Sequence, residues 1–167
     1  MTQPKFNLIQ SRIADRTSLS RHVHRWRLLG KKIVFTNGCF DLLHRGHIRL
    51  LSQAADLGDV LIVGINSDAS VKKLKGPERP LVAEQDRALL LAGLCFVDAV
   101  TIFDEETPYE LIRMVQPDVL VKGEDYAIDE IVGADIVRAY GGEVKTIPLE
   151  AGYSTSALLQ QIRSLPG

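Results

Sequence analysis

The stretch that decides the fold is Thr36-Asn37-Gly38-Cys39-Phe40-Asp41-Leu42-Leu43-His44-Arg45-Gly46-His47. An apolar segment at residues 32–35 leads into it, and an amphipathic pattern over roughly residues 46–57 follows it. The sequence therefore predicts a strand, a turn and a helix in succession. The free N–H groups and the positive dipole end at the start of such a helix favour an anion. The turn is therefore predicted to bind phosphate.

Composition restricts the class of protein. The chain has 167 residues, of which 46% are hydrophobic and 25% charged, and its net charge is −1. These values are typical of a single globular domain, and they give no overall reason to expect binding to nucleic acid. No apolar run approaches the ~20 residues of a membrane span, and the first 15 residues do not resemble a signal peptide. Since the two cysteines form no spaced framework, we expect a reduced, cytoplasmic protein. Because it lacks a long apolar run, we expect it not to bind a membrane.

Five short apolar runs rich in Val and Ile predict buried parallel strands, at residues 32–35, 60–65, 99–103, 119–121 and 144–147. Helical patterns separate most of them, at residues 46–57, 87–94, 110–115 and 128–140, and a further helix is predicted at 157–162. This alternation predicts an α/β fold: a Rossmann-like, doubly wound, five-stranded parallel sheet with helices on both faces. Ligands bind such sheets beyond the carboxyl ends of the strands.

The predicted organisation is a helical extension, residues 1–30, followed by one domain, residues 31–167. A helix is expected over residues 18–29, because its apolar positions have helical spacing and Gly30 follows it. The segment Gly76-Pro77-Glu78-Arg79-Pro80 is predicted to be a loop, because it contains two prolines and two charges. The sheet pattern continues on both sides of it, so a mobile flap is favoured over a domain linker.

His44 and His47 are the strongest candidates for chemistry. Residues three apart share a face at the start of a helix, so both imidazoles can reach one ligand. Gly46 between them allows a bulky phosphate to approach closely. A pair of satisfied polar residues or a metal site would explain an isolated pair of this kind. A metal site would require a third ligand, however, and only Asp41 is close in sequence, so no metal site is predicted.

Further candidates follow the other predicted strands. Asn66 and Asp68 come after the second strand and precede the cations Lys72 and Lys75, which are either phosphate ligands or a solvated run. Arg87 begins the next helix and would, taken alone, be an ordinary surface arginine. The fourth strand ends in Lys122-Gly123-Glu124-Asp125-Tyr126, whose last two residues could equally form a turn. Ser154-Thr155-Ser156 precedes the last helix and can supply both an N-cap and a phosphate site.

Taken together, these segments resemble the HxGH nucleotidyltransferase superfamily. The first matching segment is residues 37–47. The later ones resemble the adenylyltransferase domain of ADP-heptose synthesis, and they are Ile65-Asn66-Ser67-Asp68, Leu74-Lys75-Gly76, Val121-Lys122-Gly123-Glu124-Asp125-Tyr126 and Ser154-Thr155-Ser156. The resemblance covers about residues 31–162, nearly the whole chain.

The resemblance implies transfer of AMP from ATP to D-glycero-β-D-manno-heptose 1-phosphate, giving pyrophosphate and ADP-heptose, a precursor of the lipopolysaccharide core. By this match His44 and His47 stabilise the α-phosphate, and Lys75 acts with them. Mg²⁺ would accompany ATP and not occupy a protein cage. The nucleotide-binding residues expected from the motifs and the resemblance are Thr36, Asn37, Gly38, Phe40, Asp41, Gly46, Asn66, Asp68, Lys72, Arg87, Lys122, Gly123, Asp125, Tyr126, Ser154, Thr155 and Ser156.

Several alternatives stay open at this point. A cytidylyltransferase acting on glycerol 3-phosphate or a similar alcohol phosphate would use the same histidine pair, because chemistry at the α-phosphate is indifferent to the base. A pantetheine-phosphate adenylyltransferase fits the later segments less well. The non-enzymatic alternative is a module that binds nucleotide without turnover. The resemblance further implies a homodimer. The chain is either a stand-alone enzyme or an excised domain, and if it stands alone, a separate heptose kinase upstream in the pathway must supply the sugar 1-phosphate.

Overall fold

The five strands form one parallel sheet in the order β3-β2-β1-β4-β5. This computed structural model describes residues 4–125, 127–150 and 152–165. The strands are β1 (Ile33–Gly38), β2 (Val60–Asn66), β3 (Ala99–Phe103), β4 (Val119–Gly123) and β5 (Glu143–Ile147). All four pairings between neighbouring strands are parallel. The predicted five-stranded parallel sheet is therefore confirmed.

The helices cover both faces of this sheet. They are α1 (Lys5–Gln10), α2 (Arg16–Leu28), α3 (Arg45–Ala55), α4 (Asp68–Lys75), α5 (Glu84–Ala92), α6 (Tyr109–Val115), α7 (Ala134–Ala139) and α8 (Thr155–Arg163), with a short 3₁₀ turn at Ile128–Glu130. One hydrophobic cluster packs α2 and α6 against Phe35 and Ile62, and a second packs α3 and α5 against Val34 and Val63. Since every residue of β2 is buried, its apolar sequence is that of a strand covered on two sides.

The sheet places a ligand crevice above β1 and β4. The chain runs outward from β1 through β2 to β3, and then returns to the other side of β1 for β4 and β5. Strand order therefore reverses between β1 and β4, where the carboxyl ends of the strands leave room for a ligand. The turn after β1 and the segment after β4 both meet at this edge. None of the helices in the described ranges is long and apolar enough to cross a membrane.

Some helices differ from the sequence prediction. The predicted helix at residues 128–140 is divided into the 3₁₀ turn and α7, because Gly133 between them has a φ of +85°. A Cβ at this glycine would lie 2.7 Å from Ile112 Cδ1, so no other residue fits there without rearrangement. The lysines after β2 belong to a helix, α4, that was not predicted. Its N-cap is Ser67, whose hydroxyl accepts a hydrogen bond from the backbone N–H of Ser70.

The N-terminal segment contributes to the core. Leu19 and Val23 of α2 are buried in the first hydrophobic cluster. Ahead of α2, Ile13 forms a parallel bridge to Val100 on the outer strand β3. Arg12 donates hydrogen bonds to the carbonyls of Ala92 and Leu94 at the end of α5. Residues 12–28 therefore extend one edge of the sheet and cover part of one face.

Candidate active site

The two histidines lie stacked at the start of α3. Phe40 adopts a left-handed conformation in the turn after β1, with φ of 46°, and the chain then enters α3 with His44 as its N-cap. The imidazole centroids of His44 and His47 are 3.8 Å apart, and the rings are inclined by 22°. A Cβ on Gly46 would lie 3.1 Å from the His44 ring and 3.3 Å from Tyr153 Cβ. Glycine here therefore lets the segment before α8 approach the histidine pair.

Both imidazoles are neutral near pH 7. Burial, followed by the proximity of His44, lowers the pKa of His47 to about 4, and burial also lowers the pKa of His44. A neutral imidazole donates one hydrogen bond and accepts another. Among the described residues, His44 Nδ1 and Asn37 Oδ1 are buried without a hydrogen-bond partner. Buried polar atoms of this kind are costly unless a ligand or water satisfies them.

Lys122 connects the ends of the two central strands. Its ammonium group donates a 3.0 Å hydrogen bond to the backbone carbonyl of Asn37 at the end of β1. Burial lowers the pKa of Lys122 to about 8, and the nearby Asp125 carboxylate opposes this shift. A lysine with this pKa is mostly protonated near neutral pH. The positive charge of Lys122 therefore lies in the crevice beside the neutral histidines.

The N-terminus of α8 forms the facing wall. Ser154 is its N-cap, and the Ser154 hydroxyl accepts a 3.0 Å hydrogen bond from the backbone N–H of Ala157. Thr155 and Ser156 occupy the first turn and line the same cavity as the histidines. The capping interpretation is thus correct for Ser154. The other two hydroxyls and the first-turn N–H groups face a region where an anion would be stabilised.

One cavity of about 760 Å³ brings most of the predicted site together. Its size is that of an ordinary small-molecule site. The predicted residues that line it are Thr36, Asn37, Gly38, Phe40, Asp41, His44, Gly46, His47, Asn66, Lys75, Lys122, Gly123, Asp125, Ser154, Thr155 and Ser156. Tyr126 lies outside the described residues.

Three of the residues predicted to bind the nucleotide do not line this cavity: Asp68, Lys72 and Arg87. Arg87 is fully buried and donates hydrogen bonds to the carbonyls of Cys39, Asn66 and Val82 at 2.6–2.9 Å and to the Asp68 carboxylate at 2.8 Å. Lys72 is exposed on α4. Arg87 therefore joins the turn after β1 to the segments after β2 and before α5. It has a buried, structural position and is not the surface arginine that its sequence alone would predict.

Asp41 ties the predicted flap to the turn after β1. Its buried carboxylate accepts hydrogen bonds from Arg79 Nε at 2.6 Å and from the backbone N–H groups of Leu81 and Val82 at 2.8 and 3.0 Å. All three donors belong to residues 79–82, so the carboxylate is already well satisfied within the protein. The loop predicted to be a mobile flap is held against the site by these bonds.

Other cavity residues were not singled out from the sequence: Arg79, Glu106, Glu130, Glu150 and Tyr153. Each lies in a loop or 3₁₀ turn, where no periodicity marks a functional side chain. For Glu150 the sequence offers one indication of a role in the site: it lies two residues before Gly152, which begins the segment with the hydroxyls of Ser154, Thr155 and Ser156. Its carboxylate pairs with Arg45 at 3.0 Å and thereby holds the loop before α8 against the start of α3.

Comparison with known proteins identifies the family. Residues 35–160 match the family model described as cytidylyltransferase-like, and this range includes the histidine pair and the start of α8. The chain belongs to this family. The predictions of the HxGH superfamily and of a nucleotidyltransferase enzyme are therefore confirmed.

The similar sequences are parts of longer proteins. "Bifunctional protein HldE" of Wolinella succinogenes is 56% identical over 154 residues, which are 92% of this chain and 32% of that protein. The protein of the same name in Koribacter versatilis is 52% identical over 161 residues, 96% of this chain and 33% of that protein. The chain thus spans about a third of the length of these curated relatives.

Solved structures agree on the fold. The lipopolysaccharide core biosynthesis protein from Thermoplasma volcanium is 31% identical with a TM-score of 0.58, and the match covers 72% of this chain and 98% of that one. Pantoate-beta-alanine ligase from Francisella tularensis is 19% identical with a TM-score of 0.57, and the match covers 91% of this chain and 73% of that one. At this low identity the second likeness shows the fold alone.

Proposed function

We propose that this chain transfers the adenylyl group of ATP to D-glycero-β-D-manno-heptose 1-phosphate, forming ADP-heptose and pyrophosphate. The stacked pair of His44 and His47, facing the start of α8 across one cavity, is the observation that supports nucleotidyl transfer. The relatives named bifunctional protein HldE and the lipopolysaccharide core biosynthesis protein support a sugar phosphate as acceptor. The transfer would be carried by residues 31–167, with residues 1–30 as the helical extension.

In this reaction an oxygen of the sugar 1-phosphate attacks the α-phosphorus of ATP. The bond from that phosphorus to the oxygen bridging the α- and β-phosphates breaks, and pyrophosphate leaves with that oxygen. No covalent bond to the protein forms. His44 and His47 donate hydrogen bonds to the α-phosphate oxygens, while Lys122 supplies positive charge. Phosphoryl transfer depends mainly on such positioning and charge stabilisation.

The β- and γ-phosphates would lie at the start of α8, near Thr155, Ser156 and Lys75, which all line the cavity. These side chains are hydroxyls and an amine, which suit phosphate better than a cation. Mg²⁺, when bound, would neutralise charge on the triphosphate and take its ligands mainly from phosphate oxygens. The protein would provide the surrounding hydrogen-bond donors.

The remaining partners belong to the same proposal. The sugar 1-phosphate would be supplied by a heptose kinase, and the naming of the relatives as bifunctional is compatible with a second activity outside the part that this chain matches. We also propose a cytoplasmic homodimer that acts on small molecules and binds no nucleic acid. The net charge of −1 supports the last point.

A panel of nucleotides and acceptors tests the proposed substrates. ATP and CTP are each combined with heptose 1-phosphate and with glycerol 3-phosphate, and released pyrophosphate is measured. We expect pyrophosphate with ATP and heptose 1-phosphate, and none with CTP and glycerol 3-phosphate. The description of the family favours the second pair as the competing candidate, so product from that pair alone would replace this proposal by a cytidylyltransferase. Absence of product from every pair would favour a binding module.

A further inference from the structure

A second cavity adjoins the candidate active site. Its volume is about 720 Å³, and it lies between residues 75–81 and residues 156–163 of α8. Lys75, Arg79 and Ser156 line both cavities, so these three residues mark the place where the two meet. Farther out, the rim carries Arg163 and Glu78, a highly exposed ion pair at 3.9 Å. The junction itself therefore has two cations and a hydroxyl.

Arg79 is held at this junction in a defined orientation. Its side chain is 17% exposed, and its Nε donates a 2.6 Å hydrogen bond to Asp41, whose side chain is 2% exposed. Within the described part of the chain, the guanidinium hydrogen bonds go to Asp41 alone, so Nη1 and Nη2 are available to another acceptor. A guanidinium fixed at Nε presents its other N–H groups as a fork that suits phosphate oxygens.

We propose that Arg79 binds the polyphosphate tail of the nucleotide, and the pyrophosphate formed from it, where the two cavities meet. Asp41 is its positioning residue. The inference rests on the proposed function only in requiring a nucleoside triphosphate as donor. The tail is favoured over the phosphate of the acceptor because Ser156, in the first turn of α8, lines the same junction. The free N–H groups of that turn favour the more highly charged anion.

Asp41 acts on the reaction indirectly in this arrangement. Its carboxylate already accepts three hydrogen bonds from residues 79–82, and a negative charge would repel the nucleotide phosphates. The second cavity lies between the loop and α8, and the residues that line it do not include the histidine pair, so we expect pyrophosphate to leave through it while the new sugar nucleotide is still bound. Arg79 and Lys75 would guide it along this path.

Calorimetric titration with four ligands tests the assignment: inorganic pyrophosphate, ATP, AMP and heptose 1-phosphate. For Arg79→Ala we expect affinity for pyrophosphate and ATP to fall by about tenfold or more, as for loss of a charge-assisted hydrogen-bonded contact. Affinity for AMP and heptose 1-phosphate should stay within about twofold, because neither ligand loses a contact with Arg79. A twofold change is smaller than the net contribution of one neutral hydrogen bond. The matched control is Arg113→Ala, which removes an exposed arginine that also pairs with one carboxylate, Glu110.

Two further variants separate orientation from charge and guard against misfolding. Arg79→Lys keeps a positive charge without the fork, and Asp41→Asn weakens the bond that orients it. Both should bind pyrophosphate less tightly than wild type, and both should show cooperative urea unfolding. Unchanged affinity for pyrophosphate in Arg79→Ala, or loss confined to heptose 1-phosphate, would overturn the assignment. Because pyrophosphate carries no base, this result stands even if the nucleotide panel contradicts the proposed substrates.

Discussion

Acidification should destabilise the protein through His47. Burial lowers the pKa of this imidazole to about 4 in the folded chain, while an unfolded chain protonates it near pH 6.5. The unfolded state therefore binds a proton first as the pH falls, and stability is lost from about pH 6.5 down towards pH 4. Between about pH 7.5 and pH 5 the difference amounts to ~2 kcal/mol, and solvent that reaches part of the ring reduces it to about 1–2 kcal/mol.

Urea unfolding at both pH values measures this loss. Other groups also titrate over the range, so the informative quantity is the loss in wild type minus the loss in His47→Gln. We expect wild type to lose about 1–2 kcal/mol more than the variant. His24→Gln is the matched control, because His24 is exposed on α2, and it should lose as much as wild type. Equal losses in wild type and His47→Gln would refute the burial argument.

Two other substitutions test how the site is supported. Arg87→Met should lower the free energy of unfolding, measured in urea, by about 3 kcal/mol, because it leaves buried carbonyls without their donor. Arg113→Met, at an exposed position, should change it little. Equal effects of the two substitutions would contradict the assignment of Arg87 as a buried link. Ser154→Ala removes the cap of α8, which should reduce the stability of that helix by about 1 kcal/mol. The substitution should therefore speed hydrogen exchange at the start of the helix and raise the KM for ATP. Ser164→Ala, at the other end of α8, should do neither, and an unchanged Ser154→Ala would show that the cap does not organise this wall.

The sheet and the central turn could be predicted because their signals are local. Strands β1 to β4 are short apolar runs that are mostly buried, whereas the edge strand β5, predicted to be buried, is partly exposed. The segment from Thr36 to His47 joins a strand to a helix within twelve residues. The periodicity of α3 and the glycine between the histidines are read directly from neighbouring positions. The sequence therefore predicted where the histidines lie and that a crevice forms beyond β1.

The surroundings of the site depend on contacts between distant parts of the chain. Arg87 and Asp41 have hydrogen-bond partners 48 and 40 residues away, respectively, and nothing in their immediate neighbours indicates that they are buried. Arg79 lies in a loop whose prolines and charges predict a mobile flap, although Asp41 holds it in place. Gly133 divides a predicted helix because its φ is +85°, and a Cβ there would collide with Ile112 of α6. Such long-range partners become visible only when the strands are assembled.

The most direct test of adenylyl transfer at this site is to quantify ADP-heptose and pyrophosphate from ATP and heptose 1-phosphate, with wild type, His47→Ala and His24→Ala. We predict equal amounts of the two products from wild type and from His24→Ala. His47→Ala should retain cooperative unfolding and lose about 10²–10³-fold in turnover, as for removal of one donor to a developing oxyanion. Undiminished turnover in a folded His47→Ala protein would contradict the claim that the histidine pair forms the active site.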